Sequence, residues 1–448
     1  RLSYSHEQLI YDMRGVVNAL SCCRVPVPKA NNDRESISKS SKKIAKSTLK
    51  RRNDQRILLL GTGESGKSTF LKQMKIIAGK KFQEAELMSF REIIYDNVYK
   101  GVLFLLQARS TLKIPWAGGP NCDAANAADA LENHFKTFQR TQRERARLRQ
   151  VLWMEDEFLQ IAPLLAKIWA DDSIRLAFDQ RSRLITEDFS ENTRFYLNRI
   201  DQIAKPNYVP TNEDIVWSRR PTNSIIEEEI CVHGIPITFI DVGGQTKERS
   251  KWCHAFTDMT SVLFLVACSH YDEFYVDRVT EEYRNKLREA MDVFESLINH
   301  VSFRRVSIIL FFNKTDILKE KLASGLSSIR SSFPEFPSEA DERKLADVQN
   351  FLVTLFSSRI DPNPDPTLPE EGEAIQRLSG LQKLFHSKSL SRHDSGSNAS
   401  SQGFDRTPRR RTVYRHFTTA VDRRNIETVF NAMQDTILQS NLRRLMMS

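Results

Sequence analysis

The stretch that most limits what this chain can fold into is a short one. Ile57-Leu58-Leu59-Leu60 is followed by Gly61-Thr62-Gly63-Glu64-Ser65-Gly66-Lys67-Ser68-Thr69, and then by Phe70, Leu71, Met74 and Ile77 at helical spacing. The apolar run reads as a buried strand and the spaced apolar residues as one helix face. The glycine-rich stretch between them satisfies G-x-x-x-x-G-K-[ST] in the strand–loop–helix setting that this motif requires. Such a loop turns its backbone N–H groups toward the α- and β-phosphates of a nucleotide; Lys67 reaches the β/γ oxygens and Ser68 offers a hydroxyl to Mg²⁺. Gly63, Glu64, Ser65, Gly66, Lys67, Ser68 and Thr69 are the first candidate nucleotide-binding residues. An ordinary glycine turn explains the loop but not its flanks.

A phosphate loop does not choose a base. Asn313-Lys314-Thr315-Asp316 ends the apolar run Val306 to Phe312, and ligands of open α/β sheets bind outside the carboxyl ends of strands. The Asp316 carboxylate matches the adjacent N1–H and N2–H₂ donors of guanine, a pair that adenine lacks. Asn313, Lys314 and Asp316 are therefore candidate guanine contacts; the glycosylation sequon they also spell would require secretion. Asp241-Val242-Gly243-Gly244-Gln245 follows the run Ile235 to Ile240. Asp241 suits a Mg²⁺ held through water, Gly244 a backbone N–H close to a γ-phosphate, and Gln245 an attacking water. Arg219-Arg220-Pro221-Thr222 holds an arginine able to neutralise a transferring phosphoryl group and a hydroxyl, Thr222, for the metal shell. Out of context that tetrapeptide is a solvated linker, and its two arginines leave the choice between them open.

The chain divides by pattern. Residues 1–55 form a basic segment, with twelve Lys/Arg against five Asp/Glu, and account for seven of the net charge of +9. Residues 81–214 carry helix-like segments and no convincing strand; Phe158, Ile161, Leu165 and Ile168 make one stripe. From 215 onward strands alternate with helices: Ile235 to Ile240, Ser261 to Cys268, a helix near 277–299, Val306 to Phe312, a helix near 340–358, Val413 to Phe417 and a last amphipathic helix from about Arg423. With 56–80 this predicts an α/β fold, a mostly parallel sheet covered by helices and interrupted by an all-helical domain. Residues 361–411 break the alternation, from a Pro-rich start to Arg409-Arg410-Arg411 with eight serines between 379 and 401, and read as a disordered insertion.

Of the 448 residues, 40% are hydrophobic, enough for a sizeable core, yet no apolar run approaches the ~20 residues of a membrane span. Six cysteines show no zinc spacing, and a reducing cytosol is the natural setting. A basic charge confined to one terminal segment favours an anionic membrane surface over nucleic acid, for which no interleaved basic and aromatic face stands out.

The order of these motifs, together with Phe417-Thr418-Thr419-Ala420, resembles the alpha subunits of heterotrimeric G proteins over about residues 31–448. Ser68 and Thr222 are separated by 154 positions, room for the helical domain that separates such subunits from simple Ras-like GTPases. The resemblance implies a Ras-like P-loop GTPase domain at 56–80 and 215–448, GTP or GDP as bound nucleotide, and GTP hydrolysis with Mg²⁺. It also selects Arg219 over Arg220 as the catalytic arginine, Gln245 as its partner, Glu64 as the acid that pairs with that arginine, and Ala420 as a contact to the guanine ring. Arg-Arg-Pro-Thr, the run from Val306, His416-Phe-Thr-Thr-Ala and Asp435 to Leu442 look closest to the twelve/thirteen class. That likeness implies a βγ dimer, a seven-helix G protein-coupled receptor and Rho guanine-nucleotide exchange factors as partners.

Departures from the family pattern are Ser224 for a usual Gly, Thr246-Lys247 for a usual Arg-Ser, and the enlarged 361–411 loop. Leu445 stands where inhibitory-class members carry the cysteine modified by pertussis toxin, which implies insensitivity. Cys22-Cys23 ahead of Lys39, Lys42, Lys43, Lys46 and Lys50 supplies the two signals, thioester lipid and polybasic patch, that anchor a protein at the cytoplasmic face of the plasma membrane. Lys251 and Trp252 are candidate partner contacts. The competing readings are a nucleotide-binding scaffold with negligible hydrolysis, which Arg219 and Gln245 count against, and an ATPase, which Asp316 counts against.

Overall fold

The computed structural model describes residues 55–147, 153–184, 191–232, 234–256, 259–277, 281–300, 303, 306–360 and 413–433. Expectations for Cys22, Cys23, the 361–411 insertion and everything beyond Met433 lie outside these. The central sheet has six strands in the order β2-β3-β1-β4-β7-β8: β1 (Gln55–Leu60), β2 (Ile226–Val232), β3 (Ile235–Asp241), β4 (Ser261–Ala267), β7 (Ser307–Asn313) and β8 (Val413–Phe417). All neighbours run parallel except β2, which pairs antiparallel with β3 from Ile226↔Asp241 to Val232↔Ile235.

Alternation along the strands feeds two separate cores. Leu58, Leu60, Phe264, Leu310 and Phe312 pack with Met291, Phe294, Leu352 and Phe356 on one face. Ile57, Leu59, Phe239, Leu263 and Phe311 pack with Phe70, Met74, Ile426 and Phe430 on the other. Helix α1 (Lys67–Ile77) follows the phosphate loop. A run of helices follows it: α2 (Glu84–Thr111), α3 (Asp123–Arg147), α4 (Glu155–Ala170), α5 (Asp172–Asp179), α6 (Asn192–Leu197), α7 (Ile200–Ile203) and α8 (Asn212–Trp217). The stripe Phe158, Ile161, Leu165 and Ile168 lies inside its core. Local signals set several starts: Gln83 N–H donates to Glu86 Oε2 at 2.9 Å ahead of α2, and Thr211 Oγ1 accepts from Asp214 N–H at 3.2 Å ahead of α8.

Beyond β4, α9 (Lys286–Ile298), α10 (Thr315–Ser324), α11 (Ile329–Ser332) and α12 (Leu345–Ser357) alternate with the later strands, and residues 423–433 are helical. Four details depart from expectation. The helix expected near 277–299 begins at Lys286, because Asn285 Oδ1 accepts the N–H groups of Leu287 and Arg288, at 2.9 and 3.1 Å. Ahead of it, β5 (Phe274–Val276) and β6 (Tyr283–Asn285) form a small antiparallel hairpin. Strand β2 was hidden by Glu227-Glu228-Glu229: an edge strand buries so few positions that three consecutive carboxylates are tolerated, and Lys75 and Lys80 pair with Glu228 at 2.6 and 3.1 Å. The α10 helix had no clear apolar stripe to reveal it; only Leu318 and Leu322 are buried.

Candidate nucleotide-binding site

Every parallel strand ends on the same edge of the sheet, so the loops after β1, β3, β7 and β8 converge. They form one wall of a cleft of about 610 Å³, whose opposite wall comes from the helical run. Gly63 to Thr69, Arg219, Thr222, Asp241, Gly244, Gln245, Asn313, Lys314, Asp316 and Ala420 all line it. The sequence had scattered them from position 63 to position 420.

The phosphate loop is shaped for close approach. Gly66, at φ 98°, precedes α1, whose first turn has no side-chain cap; its N–H groups are open to an anion. A Cβ at Gly66 would stand 2.1 Å from Asn313 Nδ2, which donates to Ser65 O at 2.9 Å. Asn313 Oδ1 in turn accepts from Ala420 N–H at 2.9 Å and from Thr418 Oγ1 at 3.2 Å. Asn313 therefore ties the phosphate loop to the loop after β8. Gly244 is equally constrained, since a Cβ there would come within 2.2 Å of Lys67 Nζ. Lys67 donates to Gly61 O and Thr62 O, both at 2.9 Å, and burial pushes its pKa down to about 8 against the pull of Asp241.

Three oxygens gather beside it. Ser68 Oγ donates to Asp241 Oδ2 at 2.8 Å, and Thr222 Oγ1 lies 2.9 Å from Ser68 Oγ. Asp241 Oδ1 is buried without a hydrogen-bond partner. Burial raises the pKa of Asp241, and Lys67, Ser68 and Thr222 only partly offset it. An all-oxygen set with an unsatisfied buried carboxylate oxygen fits a hard dication such as Mg²⁺.

The two arginines of the Arg219–Thr222 segment part company. Arg219 Nη2 donates to Glu64 Oε1 at 2.6 Å, while Arg220 is exposed. The α2 side chain of Asn97 holds the Arg219 backbone at both ends, Oδ1 to N–H and Nδ2 to O, each at 2.8 Å. Gln245 is partly buried, its Cγ 3.7 Å from where a Cβ on Gly63 would be. Trp252 is buried and donates to Gly243 O at 2.7 Å, and Lys251 donates to Asn223 O at 2.8 Å. Lys251 thus ties its segment to the one that carries Thr222, while the Trp252 bond stays within its own segment. Ser224 and Thr246 are exposed.

Sequence reasoning missed a set of charged residues around this cleft. Lys286 bridges Glu64 and Glu273 at 3.4 and 3.1 Å, and Lys314 reaches Glu191 Oε2 at 3.1 Å and the His270 ring at 3.2 Å. Burial would raise Glu64, but Arg219, Lys286 and Lys314 hold it at about 2. His270 itself is driven down to about 3 by burial and stays neutral. Ligand-type atoms of Glu64, His270 and Glu273 lie within 4.8 Å of one another, but Arg219, Lys286 and Lys314 already take their lone pairs and make the spot hostile to a further cation. Lys72 of α1, with its pKa lowered by burial to about 7, donates to Ile215 O, Ser218 O and Ser218 Oγ at 3.1, 2.6 and 2.8 Å. Lys72, Glu191, His270, Glu273 and Lys286 belong to none of the motifs; only packing brings them to the motif residues Glu64, Arg219 and Lys314.

A profile of the G-protein alpha subunit family matches residues 32–437. The chain belongs to that family. It is 35% identical to the human guanine nucleotide-binding protein subunit alpha-12 over 453 aligned positions, covering 97% of this chain and all of that protein. Against human subunit alpha-13 it is 35% identical, covering 88% of this chain and 87% of that one. Against the alpha-12 subunit of Caenorhabditis elegans it is 35% identical, covering 87% and 91%. As an alpha subunit of a heterotrimeric G protein it is a member of a guanine-nucleotide-binding GTPase family, whose general partners are a βγ dimer and a receptor. Among its described residues no helix is long and apolar enough to cross a membrane.

Proposed function

We propose that this alpha subunit is a Mg²⁺-dependent GTP-hydrolysing switch of the twelve/thirteen kind. The observation that carries the reading is the convergence of Lys67, Ser68, Thr222, Asp241 and Gly244 on one side of a cleft whose other end holds Asn313 and Asp316. Mg²⁺ would be held by Ser68 and Thr222, with Asp241 acting through water, and when bound it neutralises charge on the β- and γ-phosphates. Lys67 exchanges its two backbone acceptors for phosphate oxygens. Asn313 keeps the phosphate loop against the base-reading loop, and Asp316 accepts the guanine N1–H and N2–H₂.

Gln245 orients the attacking water and Arg219 neutralises the phosphoryl group in flight. An arginine in cis and a water-orienting glutamine belong to the general alpha-subunit mechanism, which is what assigns these two roles. For Arg219 this means leaving Glu64 for the phosphate, so Glu64 stores the arginine near its working position between cycles. The order gained by Thr222 and Gly244 on γ-phosphate would be read by effectors, here Rho guanine-nucleotide exchange factors, and its loss restores βγ binding. Lipid on Cys22 and Cys23 with the basic segment would hold the subunit at the cytoplasmic face of the plasma membrane.

Single-turnover hydrolysis of γ-labelled GTP with Mg²⁺, challenged by excess ATP, tests the reading. Hydrolysis that resists ATP and collapses in Gln245→Leu supports it; tight guanine-nucleotide binding with no hydrolysis by the native chain refutes the enzymatic part.

A further inference from the structure

The helical run meets the base-reading loop through two ion pairs of opposite polarity. Glu191 stands at the start of α6 and Arg194 lies one turn further along it, so both can face one neighbour. That neighbour is α10, with Lys314 at its start and Glu320 in its second turn. Glu191 Oε2 lies 3.1 Å from Lys314 Nζ. The Arg194 guanidinium meets the Glu320 carboxylate as a fork, Nη1 to Oε1 at 2.5 Å and Nη2 to Oε2 at 2.6 Å. One helix presents acid then base and the other base then acid, so sliding either past the other brings like charges together. Only one register satisfies both pairs.

We propose that the Arg194–Glu320 pair is a clasp that retains nucleotide, holding the helical run against the helix that carries Asp316, and that it must open for guanine nucleotide to leave. Asp316 lies between the two contact points on α10, and Glu191, Asn192, Lys314, Asp316 and Ile317 line one cleft. A base seated on Asp316 is therefore walled in as long as α6 stays in place. The helical end of the clasp is anchored as well: the Arg194 guanidinium sits 5.1 Å from the centre of the Phe178 ring, which is buried in the helical core. Neither Arg194 nor Glu320 touches the phosphate-side residues, so both are positioning residues that govern release and leave the chemical step alone. The side chains are 40% and 51% exposed, which limits the pair to the modest strength of surface bridges and makes it easy to open.

The inference rests on the guanine-nucleotide reading above. Its test is the release of a fluorescent GDP analogue from the purified full-length chain with Mg²⁺ at low salt. Arg194→Glu and Glu320→Arg should each speed release roughly two- to fivefold, the scale set by an exposed ion pair, and the double exchange should return it to the native rate. Single-turnover hydrolysis of bound GTP should be the same in all four proteins. Single variants that release at the native rate, or a double exchange as fast as the singles, would overturn the clasp while leaving the nucleotide reading intact. A native chain that retains no guanine nucleotide would remove both.

Discussion

Inside the helical run the buried polar edges belong mostly to aromatic rings: Tyr95 stacks on Phe158 with centroids 3.9 Å apart, and Trp153 sits 4.2 Å from Phe138. At the carboxyl edge of the sheet the buried groups are instead Lys67, Asp241 and Asn313, surrounded by Glu64, Lys286 and Lys314. One region spends its interior on packing, and the other accepts the desolvation of charge for the sake of a site. The helical run contributes a wall and a few tethers, such as Asn97 on Arg219 and Glu191 on Lys314, while Lys67, Ser68, Asp241 and Gln245, proposed to act on the nucleotide, come from the sheet side.

The strongest way to break this division is at the base. Asp316→Ala should lower the preference for guanine over adenine nucleotides by on the order of 10⁴, measured by competition binding, because the N1 and N2 donors lose their acceptor. Unchanged preference would move base reading to the helical wall. Next, Arg219→Cys should slow single-turnover hydrolysis by about 10³ at undiminished GTP affinity, the scale general to an arginine supplied in cis. A loss of affinity in place of rate would make Arg219 a tether like Asn97. Of similar size, Phe158→Ala should cost about 3–5 kcal/mol. If the two regions are separate cores, calorimetry should show the loss as an earlier transition of the helical run, with the nucleotide-stabilised transition kept.

The least effect is expected from acid. The Glu64 carboxylate sits at about 2 in the folded protein against an ordinary 4.5, so its contribution is complete above about 4.5 and fades as the pH falls toward 2. Glu64→Gln should therefore flatten the decline of the thermal midpoint between about pH 5 and about pH 3. An unaltered decline would place the acid-sensitive pairing elsewhere, with Glu191 and Glu273, both also held low by neighbouring cations, as the next candidates.

Much of the site was legible because phosphate and guanine chemistry demand particular residue types at fixed short spacings: Gly66 before Lys67 and Ser68, the Asp241 to Gln245 turn, Asn313 to Asp316. The strands that carry them were legible from apolar runs, and the helical stripe at Phe158 to Ile168 from its period. What could not be read was set by contacts between distant segments. Glu228 makes an edge strand tolerable only because Lys75 and Lys80 lie beside it. Arg219 and Arg220 are adjacent and chemically identical; resemblance favoured Arg219, and in the fold it is Arg219 that pairs with Glu64 while Arg220 is exposed. Glu191, Arg194 and Glu320 are ordinary surface-type charges in sequence, and they become a clasp only when α6 is laid against α10. The sequence by itself determined the chemistry, since a motif states which atoms are available. The tertiary structure alone decided which charges face one another, because Coulomb attraction depends on a separation of a few ångströms that no spacing along the chain can fix.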